Sequence, residues 1–477
     1  MTIVRRPSHP APSLLGGSIE TPASACRHAE GRPALPWVGE PGTVGTVAVV
    51  GAGKMGLPIA ALYAGHGWSV IAVDVQEAVV DAINAGESPV AEEPGLAERV
   101  REARSAGRLR ATTDGTAAAR KADVVVIIVP VLLDDEQQPD YRHMDAAVAA
   151  IAPAVHPGLM VIFETTLPVG DTRGRYVPRL EAASGLRATA DFFVAFSPER
   201  ILSGAALQNL AAYPKLVGGI GAASGERAAA FYDSVIDAEV VLMSSAEAAE
   251  LTKLAETTYR DVNIALANEL ARYADRVGVD LQEVIVAANS QPYSHLHQPG
   301  LGVGGHCIPV YPHFLLSRAP EMELVELSRR VNDGQVGLAI KAIQKALGGL
   351  EGVPVLVLGL TYREGVKELA YSRAMPLIER LGFHGAVVSA YDPLLTAEEV
   401  ERCCATAYRW GAGGPFRAIV TQTADPLFRT IDFDAFPDLA VVFDGRNSLR
   451  GVILPERVAY RGVGVPGTQP TAQPAAR

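Results

Sequence analysis

Only four cysteines occur in 477 residues: Cys26, Cys307, Cys403 and Cys404. That is too few for a disulfide scaffold, so a reducing, cytoplasmic setting is expected. No pair of them has zinc-ligand spacing, and no metal is expected. Positive charge is also short. Forty-two Lys and Arg stand against 53 Asp and Glu, a formal net charge of −11. This balance excludes broad electrostatic binding to nucleic acid or to an anionic membrane. Long apolar runs are missing too. The longest, Val124 to Leu133, is broken by Pro130 and ends at Asp134, far short of the ~20 residues a membrane helix needs. Arg5 and Arg6 have no apolar stretch behind them, so a signal peptide is not expected.

The chain is instead 48% apolar, and at ~100–200 residues per domain its length predicts two to four domains. Residues 1–44 and 463–477 are rich in small residues and Pro without any period, and are expected to be disordered. Between them, buried-strand runs alternate with helical segments. Thr46–Val50, Val70–Val73, Val124–Val129 and Met160–Phe163 form a first set. Val355–Leu358, Val387–Tyr391 and Leu439–Phe443 form a second. The pattern predicts an α/β protein with two Rossmann-like, parallel doubly wound domains. Leu251, Leu254, Thr258, Val262, Leu266, Leu270, Tyr273 and Val277 recur at three- and four-residue steps. They predict one long central helix, Ala246 to Val277, acting as a spine or a dimer interface. The expected divisions are 45–245 for the first domain, 246–345 for a helical region and 346–462 for the second domain.

Gly51-Ala52-Gly53-Lys54-Met55-Gly56 follows the first strand and opens a helix. Gly51 permits the tight turn, Gly53 lets a pyrophosphate approach the backbone, and Gly56 lets helix and strand pack closely. Asp74 ends the second strand, 23 residues after Gly51, where a carboxylate would hold a ribose diol. Val75 and Gln76 follow it rather than Arg, so NAD is favoured over NADP.

The stretch Pro299–Pro309 reads PGLGVGGHCIP. Four glycines crowd Cys307, so backbone can approach a ligand closely. A free thiol has a pKa of ~8.5 and needs a cation or oriented N–H groups to react as thiolate. Lys253 on the long helix could supply that charge. His306 is a candidate base, although sequence neighbours usually point apart. Cys26 falls in the lead-in, and Cys403 and Cys404 are expected in a helix of the second domain, so structural roles suit all three.

Several separate motifs then occur in one order: the Gly51 turn, ETTLPVG (Glu164–Gly170), SPERILSG (Ser197–Gly204), ELTK (Glu250–Lys253), GVGGHC (Gly302–Cys307) and DGR (Asp444–Arg446). Together they resemble the nucleotide-sugar 6-dehydrogenases of the UDP-glucose/GDP-mannose dehydrogenase family, from about Val47 to Leu449. The resemblance implies a cytoplasmic homodimer that uses NAD to oxidise the C6 alcohol of a UDP-sugar to a carboxylate. It implies Cys307 as nucleophile and Lys253 as oxyanion stabiliser. Thr166 would place water and cofactor, and Glu199 would join the catalytic set. Gly51, Gly53, Lys54, Met55, Gly56 and Asp74 would bind the cofactor. Glu199, Arg200, Ile201, Lys253, Thr257, Gly304, Arg363 and Arg446 would line the substrate.

The chain departs from the family in four places. Thr257 stands for the Asn one turn after the lysine, and Tyr311 for the Asp four residues after the cysteine. Lys367-Glu368-Leu369-Ala370 replaces an Asp-Asp-x-Arg segment. Tyr293 replaces an arginine ahead of the cysteine loop. A non-catalytic nucleotide-sugar binding relative, or a 3-hydroxyacid dehydrogenase with a similar glycine turn, are the competing readings. Ser203, where UDP-glucose users carry a second glutamate, and the Gln298-Pro299-Gly300 and Gly304-Gly305-His306-Cys307 runs resemble the members that act on 2-acetamido sugars.

Overall fold

The computed structural model describes residues 45–201 and 204–467. The expected disordered lead-in with Cys26, positions 202 and 203, and residues 468–477 lie outside the described residues. The first sheet has eight strands: β1 (Thr46–Val50), β2 (Ser69–Val73), β3 (Leu109–Thr112), β4 (Val124–Ile127), β5 (Met160–Phe163), β6 (Phe193–Phe196), β7 (Lys215–Gly219) and β8 (Val240–Met243). Their order is β8-β7-β6-β5-β4-β1-β2-β3. Val47 to Val49 are fully buried and Val50 is 6% exposed, as expected for strands covered on both faces.

The sheet is not uniformly parallel as expected. β7 runs antiparallel to β6, with Phe196 opposite Gly218, and β8 follows β7 in parallel. The link carrying the short helix Ala206–Ala212 returns the chain beside β6 instead of crossing over the sheet.

The second sheet is parallel throughout. Its strands are β9 (Pro354–Leu358), β10 (Val387–Tyr391), β11 (Thr406–Ala407), β12 (Ala418–Thr421), β13 (Val441–Asp444) and β14 (Ala459–Gly462), in the order β11-β10-β9-β12-β13-β14. Both sheets reverse strand order at their first strand, β1 and β9, where crevices open beyond the carboxyl ends. Two details differ from expectation. Cys403 and Cys404 sit in the turn after the helix Ala397–Glu401, and Cys404 has φ +59°. Packing also continues past residue 462. Gly464 accepts a 2.9 Å bond from the Leu281 amide, and Val465 is buried in the second core.

The long helix spans Ala246–Val277, the range its periodicity predicts. The Ser245 side chain caps it by accepting from the Ala248 amide at 3.1 Å, and Gly278 ends it in the left-handed region. Its buried side is unexpected. Glu250, Leu254, Thr257, Asp261, Ala265, Asn268, Ala271 and Ala274 face inward. Leu251, Leu266, Tyr273 and Val277 of the apolar stripe stay 44–62% exposed.

Candidate active site between two glycine-rich turns

The first turn leaves β1 at the sheet's switch point. Gly51 has φ +101°, and a Cβ there would lie 2.7 Å from the Ile128 carbonyl oxygen in the loop after β4. A Cβ at Gly56 would lie 1.7 Å from the Gly51 carbonyl oxygen. A Cβ at Gly53 would meet nothing within 4 Å. Only the middle glycine faces open space, at the start of the ten-residue helix Gly56–Gly65. Helix N–H groups are unpaired there and favour an anion. The Asp74 carboxylate accepts from the Ala52 amide and the Gln76 amide, both at 3.0 Å. Its remaining lone pairs are free for a diol. These residues fit the adenosine-diphosphate half of NAD.

Lys54 does not stand alone in this turn. Its Nζ lies 3.1 Å from Glu368, 3.5 Å from Glu92 and 3.3 Å from the Lys367 carbonyl oxygen. Glu368 in turn lies 3.4 Å from His306 Nε2. The bond from His306, then those from the Ala370 amide and Lys54, hold the Glu368 carboxyl well below the usual range despite its partial burial. His306 is thus turned toward Glu368 and Tyr371.

The second turn carries Cys307. Its glycines do bring backbone close, but to protein. A Cβ at Gly302 (φ +109°) would lie 2.6 Å from the Asn332 carbonyl oxygen, and at Gly304 and Gly305 it would lie 3.0 Å from Tyr362. At Gly300 it would lie 3.0 Å from Arg446. The loop therefore rests against the second sheet's loops. The long helix anchors its start, because Asn268 accepts from the Gly300 amide at 2.9 Å. Asn268 itself donates to Asn332, which donates to Asp261, paired in turn with Arg329.

Cys307 is reachable by solvent, yet protein encloses it on most sides. That enclosure pushes its thiol up. The Lys253 charge opposes this, the Glu199 charge adds to it, and Tyr311 and Arg260 lower it. Lys253 Nζ donates to the Glu199 carbonyl oxygen, and the Glu199 carboxylate accepts from the Ile201 amide. Burial raises the Glu199 carboxyl, with Lys253 opposing. Thr166 is 4% exposed on the loop after β5 and contacts the Tyr311 hydroxyl. Cys307, Lys253, Thr166 and Glu199 therefore share one cleft.

Other expected contacts sit differently. The Arg200 guanidinium turns to the long helix, 2.6 Å from Glu256, and donates to the Pro214 carbonyl oxygen at 3.0 Å. Ile201 is 9% exposed. The Thr257 hydroxyl back-bonds to the Lys253 carbonyl oxygen at 2.6 Å within the helix. From the second sheet, Arg363 donates to the Tyr362 hydroxyl at 2.9 Å. Arg446 is exposed, its guanidinium lies against Gly300 of the cysteine loop, and desolvation by the neighbouring protein draws it below the usual range. Asp444 shapes that turn, accepting from Thr421, Tyr460 and the Leu449 amide at 2.6–3.0 Å. A separate cavity of about 520 Å3, lined among others by Asp280, Arg450 and Tyr460, contains none of the site residues expected from the sequence.

Sequence reasoning missed Asn268, Asp261 and Asp444 as organisers. The signal for the first two was present: Glu250, Thr257, Asp261 and Asn268 form a polar row at seven- and four-residue steps.

Comparison with known proteins follows the same layout. Sequence models of the UDP-glucose/GDP-mannose dehydrogenase family match in three pieces: the NAD binding domain at residues 45–236, the central domain at 247–334 and the UDP binding domain at 356–451. UDP-N-acetyl-D-mannosamine dehydrogenase of Pyrococcus horikoshii is 33% identical over 88% of this chain and 99% of its own length. Its solved structure superposes with a TM-score of 0.80. An NDP-N-acetyl-D-galactosaminuronic acid dehydrogenase of Ralstonia nicotianae is 36% identical over 70% of this chain and 80% of its own. A UDP-glucose dehydrogenase structure from Pyrobaculum islandicum is 26% identical, with a TM-score of 0.79 over 90% of this chain and 99% of its own. Three family segments in order, on two Rossmann-type sheets that meet at one cleft, place this chain in the UDP-glucose/GDP-mannose dehydrogenase family, as an NAD-dependent nucleotide-sugar dehydrogenase.

Proposed function

We propose that the chain oxidises the C6 alcohol of a UDP-N-acetylhexosamine to the carboxylate, in two steps through Cys307. The observation that carries this is the grouping of Lys253 and Glu199 around the Cys307 thiol, with Thr166 beside Tyr311 of the same loop and Arg446 against its Gly300. Two molecules of NAD, bound one after the other, would each accept one hydride. The first oxidation removes a hydride from C6 and the hydroxyl proton, giving an aldehyde. The Cys307 thiolate adds to that carbonyl, and the oxygen takes up a proton as a thiohemiacetal. Loss of a second hydride and that proton leaves a thioester. Water then splits the C–S bond, freeing the carboxylate and the thiol. Lys253 offsets the developing oxyanion, a contribution of about 3 kcal/mol. Asp74 on the ribose diol would repel a 2′-phosphate and favour NAD over NADP.

The 2-acetamido sugar is supported by the relatives named for N-acetylmannosamine and N-acetylgalactosaminuronic acid, and by the Gly304–Cys307 run. Position 203 lies outside the described residues and adds only its sequence. The test is kcat/KM for UDP-GlcNAc, UDP-ManNAc and UDP-GalNAc beside UDP-glucose. A clear preference for UDP-glucose would overturn the sugar assignment and leave the reaction class standing. A second copy of the chain is proposed to cover the exposed side of the long helix, where Leu251, Leu266, Tyr273 and Val277 lie in one apolar stripe. Light scattering at micromolar concentration should give the dimer mass, and a fully active monomer would contradict it.

A further inference from the structure

The long helix carries an acid that the proposed reaction does not use. Glu250 lies three residues before Lys253 and is fully buried. Each of its carboxylate oxygens takes one backbone donor, the Gly170 amide at 2.6 Å and the Thr172 amide at 3.0 Å. Those amides end the loop 164–170, which leaves β5 and carries Thr166, and open the turn Thr172–Tyr176. The front of the same loop is tied elsewhere. The Glu164 amide donates to the Ile127 carbonyl oxygen at 2.9 Å, and the Thr165 hydroxyl donates to that of Val129 at 2.6 Å. Thr166 and the fully buried Leu167 lie between the two ties.

We infer that Glu250 is a positioning residue: as a carboxylate it clamps the loop holding Thr166 to the stretch of helix holding Lys253, and it acts on the reaction through those two side chains. Among the described residues no cation pairs with it. The charged groups on the elements packed about it are engaged with others. Arg173 lies 2.6 Å from Glu247, Arg175 lies 2.8 Å from Asp145, and Lys215 on β7 lies 3.0 Å from Glu164. Asp171 is held by Tyr141 and Arg318. Burial pushes the Glu250 carboxyl up to about 7; the bonds from Thr172 and Gly170 oppose this, and the Glu247 charge adds to it. Protonation puts a hydrogen on one oxygen, a poor acceptor for the amide it faces. The clamp is therefore complete above that value and half made below it. Global stability runs the other way. The folded carboxyl lies above its unfolded value, so the folded chain binds the proton more tightly, and stability falls as pH rises through 7. A residue that served stability alone would not separate the two.

This inference rests on the proposed roles of Thr166 and Lys253, but its first readout needs no turnover. Glu250→Gln keeps the shape and fixes the neutral form, with one acceptor and an NH2 facing the second amide. Hydrogen exchange at Gly170 and Thr172, followed by mass spectrometry, should be about tenfold slower in the native chain near pH 8, and the two should converge near pH 6. The ratio of kcat, native over variant, should follow the same course, while in denaturant the native chain gains on the variant as pH falls. Equal exchange near pH 8, or a difference that persists near pH 6, overturns the clamp. A kcat ratio near one at both overturns its positioning role. Should the variant not fold, the native chain decides: protection of these amides against their intrinsic rate must drop about tenfold between the two pH values, and constant protection overturns the clamp. If exchange behaves as expected while the native chain oxidises no UDP-sugar, the clamp stands and the proposed reaction falls.

Discussion

The two glycine-rich turns look alike in sequence and do opposite things in space. The turn after β1 uses two glycines for its own geometry and leaves Gly53 facing emptiness. The turn before Cys307 uses all four against neighbouring protein, meeting Arg446 and Tyr362 in loops and Asn332 in the helix Glu323–Asp333. One turn is therefore a receptor for something absent from the chain, and the other is a joint between parts of the chain. Glycine gives the same freedom in both. What differs is whether the approaching partner is a ligand or the protein.

Substituting alanine separates the two uses. Gly56→Ala should have the largest effect, because its Cβ would stand 1.7 Å from backbone that cannot yield. A loss of about 3 kcal/mol in denaturant unfolding is expected, together with lost NAD binding. Gly302→Ala combines φ +109° with the Asn332 carbonyl. It should cost about 2 kcal/mol and displace Cys307, reducing kcat while NAD affinity changes little. Gly53→Ala sharpens the contrast. With nothing within 4 Å, unfolding should match the native chain, while KM for NAD rises about tenfold as the methyl meets the pyrophosphate. Equal losses of stability in Gly53→Ala and Gly56→Ala would break the comparison.

Glu368 tests the bridge between the turns, since it holds Lys54 on one side and His306 on the other. Its carboxyl is held below its ordinary value, so its contribution is present above the unfolded pKa and is lost as pH falls through the folded value. Glu368→Gln should cost up to about 1 kcal/mol at pH 7. The difference from the native chain should shrink in acid, as shown by unfolding series at several pH values.

Much of the first turn was legible because its spacing is local. Gly51, Gly53, Gly56 and Asp74 lie within one β-α-β unit, and Gly51 and Gly56 make the close backbone approaches that the order of strand, turn and helix implies. The long helix was equally legible, since its period is a property of one segment. Its burial was not. The apolar stripe was readable, but which side the fold covers depends on Asn332 and Arg329, far along the chain. The antiparallel β7 and β8 escaped for a similar reason: pairing direction is set by how a link returns, which no local pattern records. Around Cys307, residue types were visible and contacts were not. Arg200 turned to Glu256, and Tyr311, marked in sequence only as a departure, emerged as a neighbour of both Cys307 and Thr166.

The measurement closest to the central claim is the count of NADH formed per UDP-sugar consumed, with product identified by mass. The native chain should give two NADH and the uronic acid. Cys307→Ala should give at most one NADH, with the aldehyde or its hydrate and no acid. Two NADH and uronic acid from Cys307→Ala would contradict a covalent second oxidation through this cysteine.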